Sequence, residues 1–329
     1  MAGISEEQWS AAVGAIRAAV ADDVAILLVC HVNPDGDALG SMLAVAQALR
    51  GVGATRVQAT FPGPLELPAP FAGLAGRELL VAEDDVDGRP ALLITLDAAA
   101  ESRLGRFAAL LDEVPSVVLD HHASYTGFGR FPLVDPRAAA TAVIAAEVVR
   151  RLGVPLSPEI AECLYIGVIT DTGSFKYDLT TPEVHRLAAE LLETGLSPGA
   201  ISQRVFDTRP FGAVKLYGDV LSRAVLEPER RLVWTTATLA DLDRHGQAAY
   251  VLEGLIDGIR CAAEAEVACL LKQTGPLEWA VSLRSRGGTD VSKVAIALGG
   301  GGHRAAAGFT GRGSADEVMN RIRGALGVS

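Results

Sequence analysis

The sequence predicts an α/β protein, with an N-terminal parallel-sheet domain carrying helices on both faces and a smaller C-terminal α/β domain. Three observations carry that expectation. Short, unbroken apolar runs end in turn residues at Val24–Cys30, Ala91–Asp97 and Ser116–Asp120. Helical patterns separate or follow these runs, as crossover connections of a parallel sheet require. Beyond about residue 230 the pattern changes, with strand-like runs closely followed by short helical ones. A chain of 329 residues also exceeds the size at which one core stops growing, so two domains are the natural expectation.

Taken in order, residues 5–21 read as an amphipathic helix, and Val24–Cys30 as a strand buried on both faces. Ala38–Arg50 is a helix stopped by Gly51 and Gly53, and Val57–Phe61 a short strand. Ala91–Asp97 and Ser116–Asp120 are further strands, followed by helices at Ala138–Leu152, Pro158–Ile169 and Pro182–Glu193. Residues 1–195 thus form the first domain and 196–215 a connector, leading into a helix at Phe211–Leu221. In residues 216–329, strands are expected at Arg231–Thr236, Ala265–Leu271 and Glu278–Arg284. Helices are expected at Ala249–Cys261, Val291–Leu298 and Ala315–Leu326, with another Ala-rich helix starting at His303.

Net charge is −11, and no basic run is visible. That argues against a binder of long nucleic acid, while a small anionic ligand remains compatible. No stretch reaches the roughly eighteen consecutive apolar residues of a membrane span, and the N-terminus lacks the pattern of a secretory signal. Cys30, Cys163, Cys261 and Cys269 form no CxxC pair and suit a reducing compartment, so a cytoplasmic location is expected.

Polar residues gather where the apolar strands end, which is where open parallel sheets bind ligands. His31 follows the first strand, with Asp35 and Asp37 in "VNPDGDALGS". Asp97 ends the second strong strand; Asp120, His121 and His122 end the third; Asp171 sits in "ITDTGSF" after an apolar helix. Each has an ordinary explanation. Asp35 and Asp37 can make an Asx turn or cap the following helix, and Asp97 and Asp171 can be end-of-element residues. Together they point to metal. Carboxylate and imidazole without thiolate favour Mn²⁺, with Mg²⁺, Co²⁺ or Fe²⁺ possible, over structural zinc. The number of groups suits two ions sharing a carboxylate, an arrangement that activates a water and holds attacking and leaving oxygens in line. In the second domain, "SLRSRGGTDVSKVAIALGGGGHRAAAGF" joins Arg284, Ser285 and Arg286 to four glycines and His303. Gly-rich backbone lets N–H groups approach an anion, although a flexible loop with solvated arginines would look the same.

"HVNPDGDALGS", Asp97, "LDHH", "TDTGSF" and "GGGGH", in this order across nearly the whole chain, resemble the DHH phosphoesterase family with its DHH-associated C-terminal domain. The resemblance implies one Mn²⁺ on His31, Asp35 and Asp97. It implies a second on Asp37, Asp97, His121 and Asp171, with His122 beside the scissile phosphate and Asp120 part of the catalytic motif. It also implies substrate binding by Arg284, Ser285, Arg286, Gly300, Gly301, Gly302 and His303. The length resembles the stand-alone branch that hydrolyses short RNA of about two to five nucleotides, pApA, cyclic di-AMP or 3'-phosphoadenosine-5'-phosphate (pAp). A dedicated pAp phosphatase and a non-catalytic cyclic-dinucleotide-binding module are the alternatives. The resemblance further suggests a homodimer, with short RNA or small nucleotides as substrate and no membrane partner.

Overall fold

In the computed structural model, which describes residues 3–327, the chain divides into two units between Asp207 and Thr208. The first holds a five-stranded, wholly parallel sheet: β1 (Ile26–Cys30), β2 (Val57–Thr60), β3 (Leu92–Leu96), β4 (Ser116–Asp120) and β5 (Phe131–Val134), in the order β2-β1-β3-β4-β5. Among the described residues, five α-helices of eleven residues or more accompany it: α1 (Glu6–Ala21), α2 (Gly36–Gly51), α3 (Thr141–Leu152), α4 (Pro158–Asp171) and α5 (Pro182–Leu192).

The unbroken apolar strands follow from burial on both faces. Ile26, Leu28 and Cys30 join the core with Leu39, Met42 and Leu43 of α2 and Leu164 and Val168 of α4. Leu27 and Val29 turn the other way and pack with Leu93, Val118, Leu104, Phe107 and Phe128. This second face is covered by a 3₁₀ segment, Glu101–Asp112, interrupted at Gly105. Helices α2 and α4 approach very closely through Gly40 and Gly167. A Cβ at Gly40 would lie 2.2 Å from the Cys163 carbonyl oxygen, and one at Gly167 would lie 2.7 Å from Asp37 Oδ1.

The second unit holds a six-stranded mixed sheet: β6 (Val225–Glu227), β7 (Leu232–Ala237), β8 (Val267–Gly275), β9 (Glu278–Ser285), β10 (Gly301–His303) and β11 (Ala306–Arg312), in the order β10-β11-β9-β8-β7-β6. Only β7 and β8 run parallel; the other pairings are antiparallel. One face packs Leu271, Val281 and Phe309 against Val318, Met319 and Ile322 of helix Ala315–Leu326. The other packs Val233 and Leu270 against Leu216 and Val220 of helix Phe211–Ser222.

Three expectations need correction. The Ala-rich helix after His303 is instead the hairpin β10–β11, because residues 306–312 pair along β9. The helix expected at Ala249–Cys261 is a 3₁₀ turn at Ala249–Leu252 and a short α-helix at Ile256–Arg260, separated by Gly254 at φ +77°. Strands β5 and β6 and the 3₁₀ cover were not expected. Among the described residues, no helix is long and apolar enough to cross a membrane.

Candidate metal centre

The ends of β1, β3 and β4 and the facing termini of α2, α3 and α4 bring eight predicted residues of the first unit together. Asp97 is the hub. Its Oδ2 is 3.5 Å from His31 Nε2, and its Oδ1 is 3.7 Å from both His121 Nε2 and His122 Nδ1. The two oxygens of one buried carboxylate therefore face different histidines. Asp97 adopts φ +59°, a left-handed conformation that aspartate tolerates better than most residues, at the turn leaving β3.

Around this hub, ligand-type atoms of His31, Asp35 and Asp97 lie within 4.8 Å of one another, as do those of Asp37, Asp97 and His121, and of Asp97, Asp120 and His122. Asp171, the last residue of α4, places Oδ2 at 3.0 Å from His121 Nε2. The turn-and-cap reading of Asp35 also holds. Its Oδ1 accepts the N–H groups of Asp37 and Ala38, capping α2, while Oδ2 stands 3.8 Å from His31 Nε2.

Asp37 caps a different helix. Helix α3 has no side-chain cap of its own, because its N-cap is Ala140. Its leading N–H groups go instead to Asp37: Thr141 to Oδ2 at 2.6 Å and Ala142 to Oδ1 at 2.8 Å. The Ser41 hydroxyl donates to Oδ1 at 3.0 Å, and the Thr141 hydroxyl donates to Asp97 Oδ1 at 2.8 Å. Thr141, fully buried, thus holds both carboxylates. Neither Ser41 nor Thr141 was expected. Ser41 sits four residues after Asp37, one helical turn on, a local signal that could have found it. Thr141 is distant in sequence and offered none.

Both inner histidines have the orientation of metal ligands. His121 Nδ1 lies 3.1 Å from the Ala138 carbonyl and His31 Nδ1 lies 2.8 Å from the Val32 carbonyl, leaving Nε2 directed at carboxylates. Burial, with the negative charges of Asp97 and Asp171, pushes the Asp37 carboxyl well above its usual range. Burial alone would lower His31, but Asp35 and Asp97 override it and hold the imidazole up at about 10. Burial likewise opposes the charge on Asp97, yet His31, His122 and His121 keep its carboxyl low. The cluster demands positive charge, and protons on histidine supply it when no cation does. Oxygen and imidazole donors, ring nitrogens fixed by backbone carbonyls and unbalanced buried carboxylates fit one or two divalent cations.

His122 stands slightly apart, with Nδ1 2.7 Å from Asp120 Oδ1. An ionised carboxylate only accepts, so the hydrogen sits on Nδ1 and Asp120 sets the tautomer. The second carboxylate oxygen of Asp120 is buried without a hydrogen-bond partner among the described residues.

In the second unit the predicted residues are differently placed. Arg284 is half-buried on β9, with Nη1 on the Leu283 carbonyl, and Arg286, past the strand, bonds the Ala262 carbonyl. Ser285 is buried; its Oγ accepts the Gly287 N–H and approaches Glu266. The glycine run has a packing reason. A Cβ at Gly300 would lie 2.1 Å from the Gly308 carbonyl oxygen, and Gly302, at φ +134°, has Ala306 and Ala307 where its Cβ would be. Gly301 pairs with Gly308, and His303 closes β10.

The model for the DHH family, N-terminal domain, matches residues 25–168, and that for the DHHA1 domain matches residues 238–326. The bifunctional oligoribonuclease and PAP phosphatase NrnA of Thermus thermophilus is 34% identical over 90% of this chain and 87% of its own. The chain belongs to the DHH family. It is a hydrolase acting on phosphate esters. The probable bifunctional oligoribonuclease and PAP phosphatase NrnA of Streptococcus mutans is 26% identical, over 86% of this chain and 88% of its own. Among solved structures, an exopolyphosphatase-related protein from Bacteroides fragilis shares the fold at TM-score 0.86 and 24% identity, covering 97% of this chain and 96% of its own.

Proposed function

We propose that the chain is a Mn²⁺-dependent hydrolase of short oligoribonucleotides that also dephosphorylates pAp, with pApA and cyclic di-AMP as related substrates. The observation that carries this reading is the hub: one buried carboxylate, Asp97, with its two oxygens facing two histidine sites. His31, Asp35 and Asp97 would hold one ion, and Asp37, Asp97, His121 and Asp171 the other. Bound there, such ions polarise a phosphoryl oxygen and lower the pKa of water.

The chain's own groups do the positioning. Asp120 fixes the His122 ring through Nδ1, and the ring so held would meet a phosphoryl oxygen. Thr141 and Ser41 fix the rotation of Asp97 and Asp37. In the second unit, Arg284, Arg286, Gly300–Gly302 and His303 would bind nucleotide, with Ser285 supporting that segment from within. Net charge of −11 agrees with a small substrate held by local groups and not by a basic face. The names of the Thermus and Streptococcus relatives support both activities.

Turnover of pAp, pApA, cyclic di-AMP and an RNA length series in Mn²⁺ tests the reading. Hydrolysis falling steeply beyond about five nucleotides is expected. Binding of cyclic dinucleotide without turnover of any of the four would replace the enzyme by a binding module.

A further inference from the structure

Residues 286–290 join β9 to the short helix Val291–Ala297 and follow directly on Arg284 and Ser285. With Gly287 at φ +117° and Gly288 beside it, this loop has little conformational preference of its own. Its shape comes from Glu266, the residue before β8. The Glu266 carbonyl accepts the Arg286 N–H at 3.0 Å, carrying the β8–β9 ladder one step further. The carboxylate reaches beyond it: Oε1 accepts the Gly288 N–H at 2.6 Å and the Thr289 N–H at 3.0 Å. The Ser285 hydroxyl stands 3.5 Å from the same oxygen and accepts the Gly287 N–H. Every N–H of residues 286–289 is therefore taken by Glu266 or Ser285, and anion recognition along this loop falls to the Arg284 and Arg286 side chains.

Glu266 is built into the fold. Its side chain is only 14% exposed, and its Oε2 lies 3.3 Å from Arg231 Nη2. Burial opposes its charge, yet the Thr289 and Gly288 N–H groups and Arg231 hold the carboxyl below its usual range. A Cβ on Gly288 would lie 2.7 Å from Oε1, so a contact this close requires glycine there. From the other side, Arg304 Nη2 lies 3.3 Å from the Gly287 carbonyl and 3.4 Å from that of Gly288. A carboxylate thus takes the N–H groups of the loop, and the guanidinium that follows His303 takes its carbonyls.

We propose that Glu266 is a positioning residue for nucleotide binding: its carboxylate fixes the loop after β9 and, through that loop, residues 284–286. The proposal rests on the reading of Arg284 and Arg286 as nucleotide-binding residues.

The test is steady-state hydrolysis of pAp in Mn²⁺ by full chains of wild type, Glu266→Ala, Glu266→Gln, Gly288→Ala and Arg284→Ala. KM of Glu266→Ala should rise about 10-fold, the order of a lost charge-assisted hydrogen bond, with kcat within about 3-fold of wild type. Glu266→Gln keeps an acceptor oxygen at the same reach and should recover most of the loss. Gly288→Ala pushes the loop off the carboxylate while leaving Glu266 in place, so its KM should rise as well, and it carries the test if Glu266→Ala does not fold. An unchanged KM in folded Glu266→Ala or Gly288→Ala, while Arg284→Ala raises it, overturns this proposal alone. Glu266→Gln as poor as Glu266→Ala overturns it too, because an acceptor oxygen then does not hold the loop. So does a loss of kcat as large as the rise in KM, by making Glu266 a support of the whole fold. An unchanged KM in Arg284→Ala overturns the underlying reading and the proposal with it.

Discussion

Thr141→Val separates the two jobs of a single residue. Valine keeps the shape and the backbone N–H to Asp37, but it deletes the 2.8 Å hydroxyl bond to Asp97 Oδ1. A hydrogen bond to a charged acceptor is worth about 1.5–3 kcal/mol, and both partners here are buried, which places the loss in the upper part, about 2–3 kcal/mol. For a unit of this size each kcal/mol shifts Tm by about 2–4 °C, so the cation-free variant should melt about 4–12 °C lower. Asp97 is then free to rotate, and loss of such an outer partner weakens metal binding about 10–100-fold. Calorimetric melting with and without Mn²⁺, together with Mn²⁺ titration, measures both effects. Thr141→Ser should restore both, because it restores the hydroxyl. Wild-type Mn²⁺ affinity in Thr141→Val would refute the reasoning. So would Thr141→Ser behaving like Thr141→Val, since that would make the methyl group the important part.

Two further predictions concern stability. Gly40→Ala places a Cβ 2.2 Å from the Cys163 carbonyl and must push α2 from α4, costing at least about 1–3 kcal/mol in thermal unfolding. Because α2 carries Asp37 and α4 carries Asp171, Mn²⁺ affinity should fall with it; a loss of Tm alone would show that the site tolerates the shift. In the second unit, burial works to raise Asp241, but Arg223 and Thr238 hold its carboxyl down at about 2. A depressed carboxyl stabilises the fold fully above its unfolded value near 4 and loses that contribution as pH falls through about 2. The stability gap between wild type and Asp241→Asn should therefore be about 2 kcal/mol at neutral pH and close between about pH 4 and pH 2. A gap independent of pH would contradict it.

Much of the first unit was legible because its signals are local. Val24–Cys30 is apolar throughout and Leu92–Leu96 is apolar but for Thr95, since both faces are covered, and the polar groups that follow each strand mark the edge of the sheet. The elements that were not legible depend on distant partners. β5 contains Pro132 and is an edge strand, formed because β4 offers it a register. The hairpin after Gly299 reads as helix on alanine propensity alone. What decides it is Gly308, whose carbonyl fills the space beside Gly300, together with pairing to β9. The site shows the same division. Asp35, Asp37, Asp97, His121 and Asp171 stand out by type and position. The capping of α3 by Asp37 and the hold of Glu266 on Gly288 and Thr289 require the folded sheets to bring separated segments together.

The central claim is that two cations share Asp97. It is tested most directly by counting Mn²⁺ per chain, by calorimetry and by electron paramagnetic resonance, in wild type and Asp97→Ala. Two ions on wild type are expected, with at most one weakly held ion on Asp97→Ala and nearly complete loss of pApA hydrolysis in a folded variant. A single ion on wild type, or undiminished hydrolysis by Asp97→Ala, would contradict it.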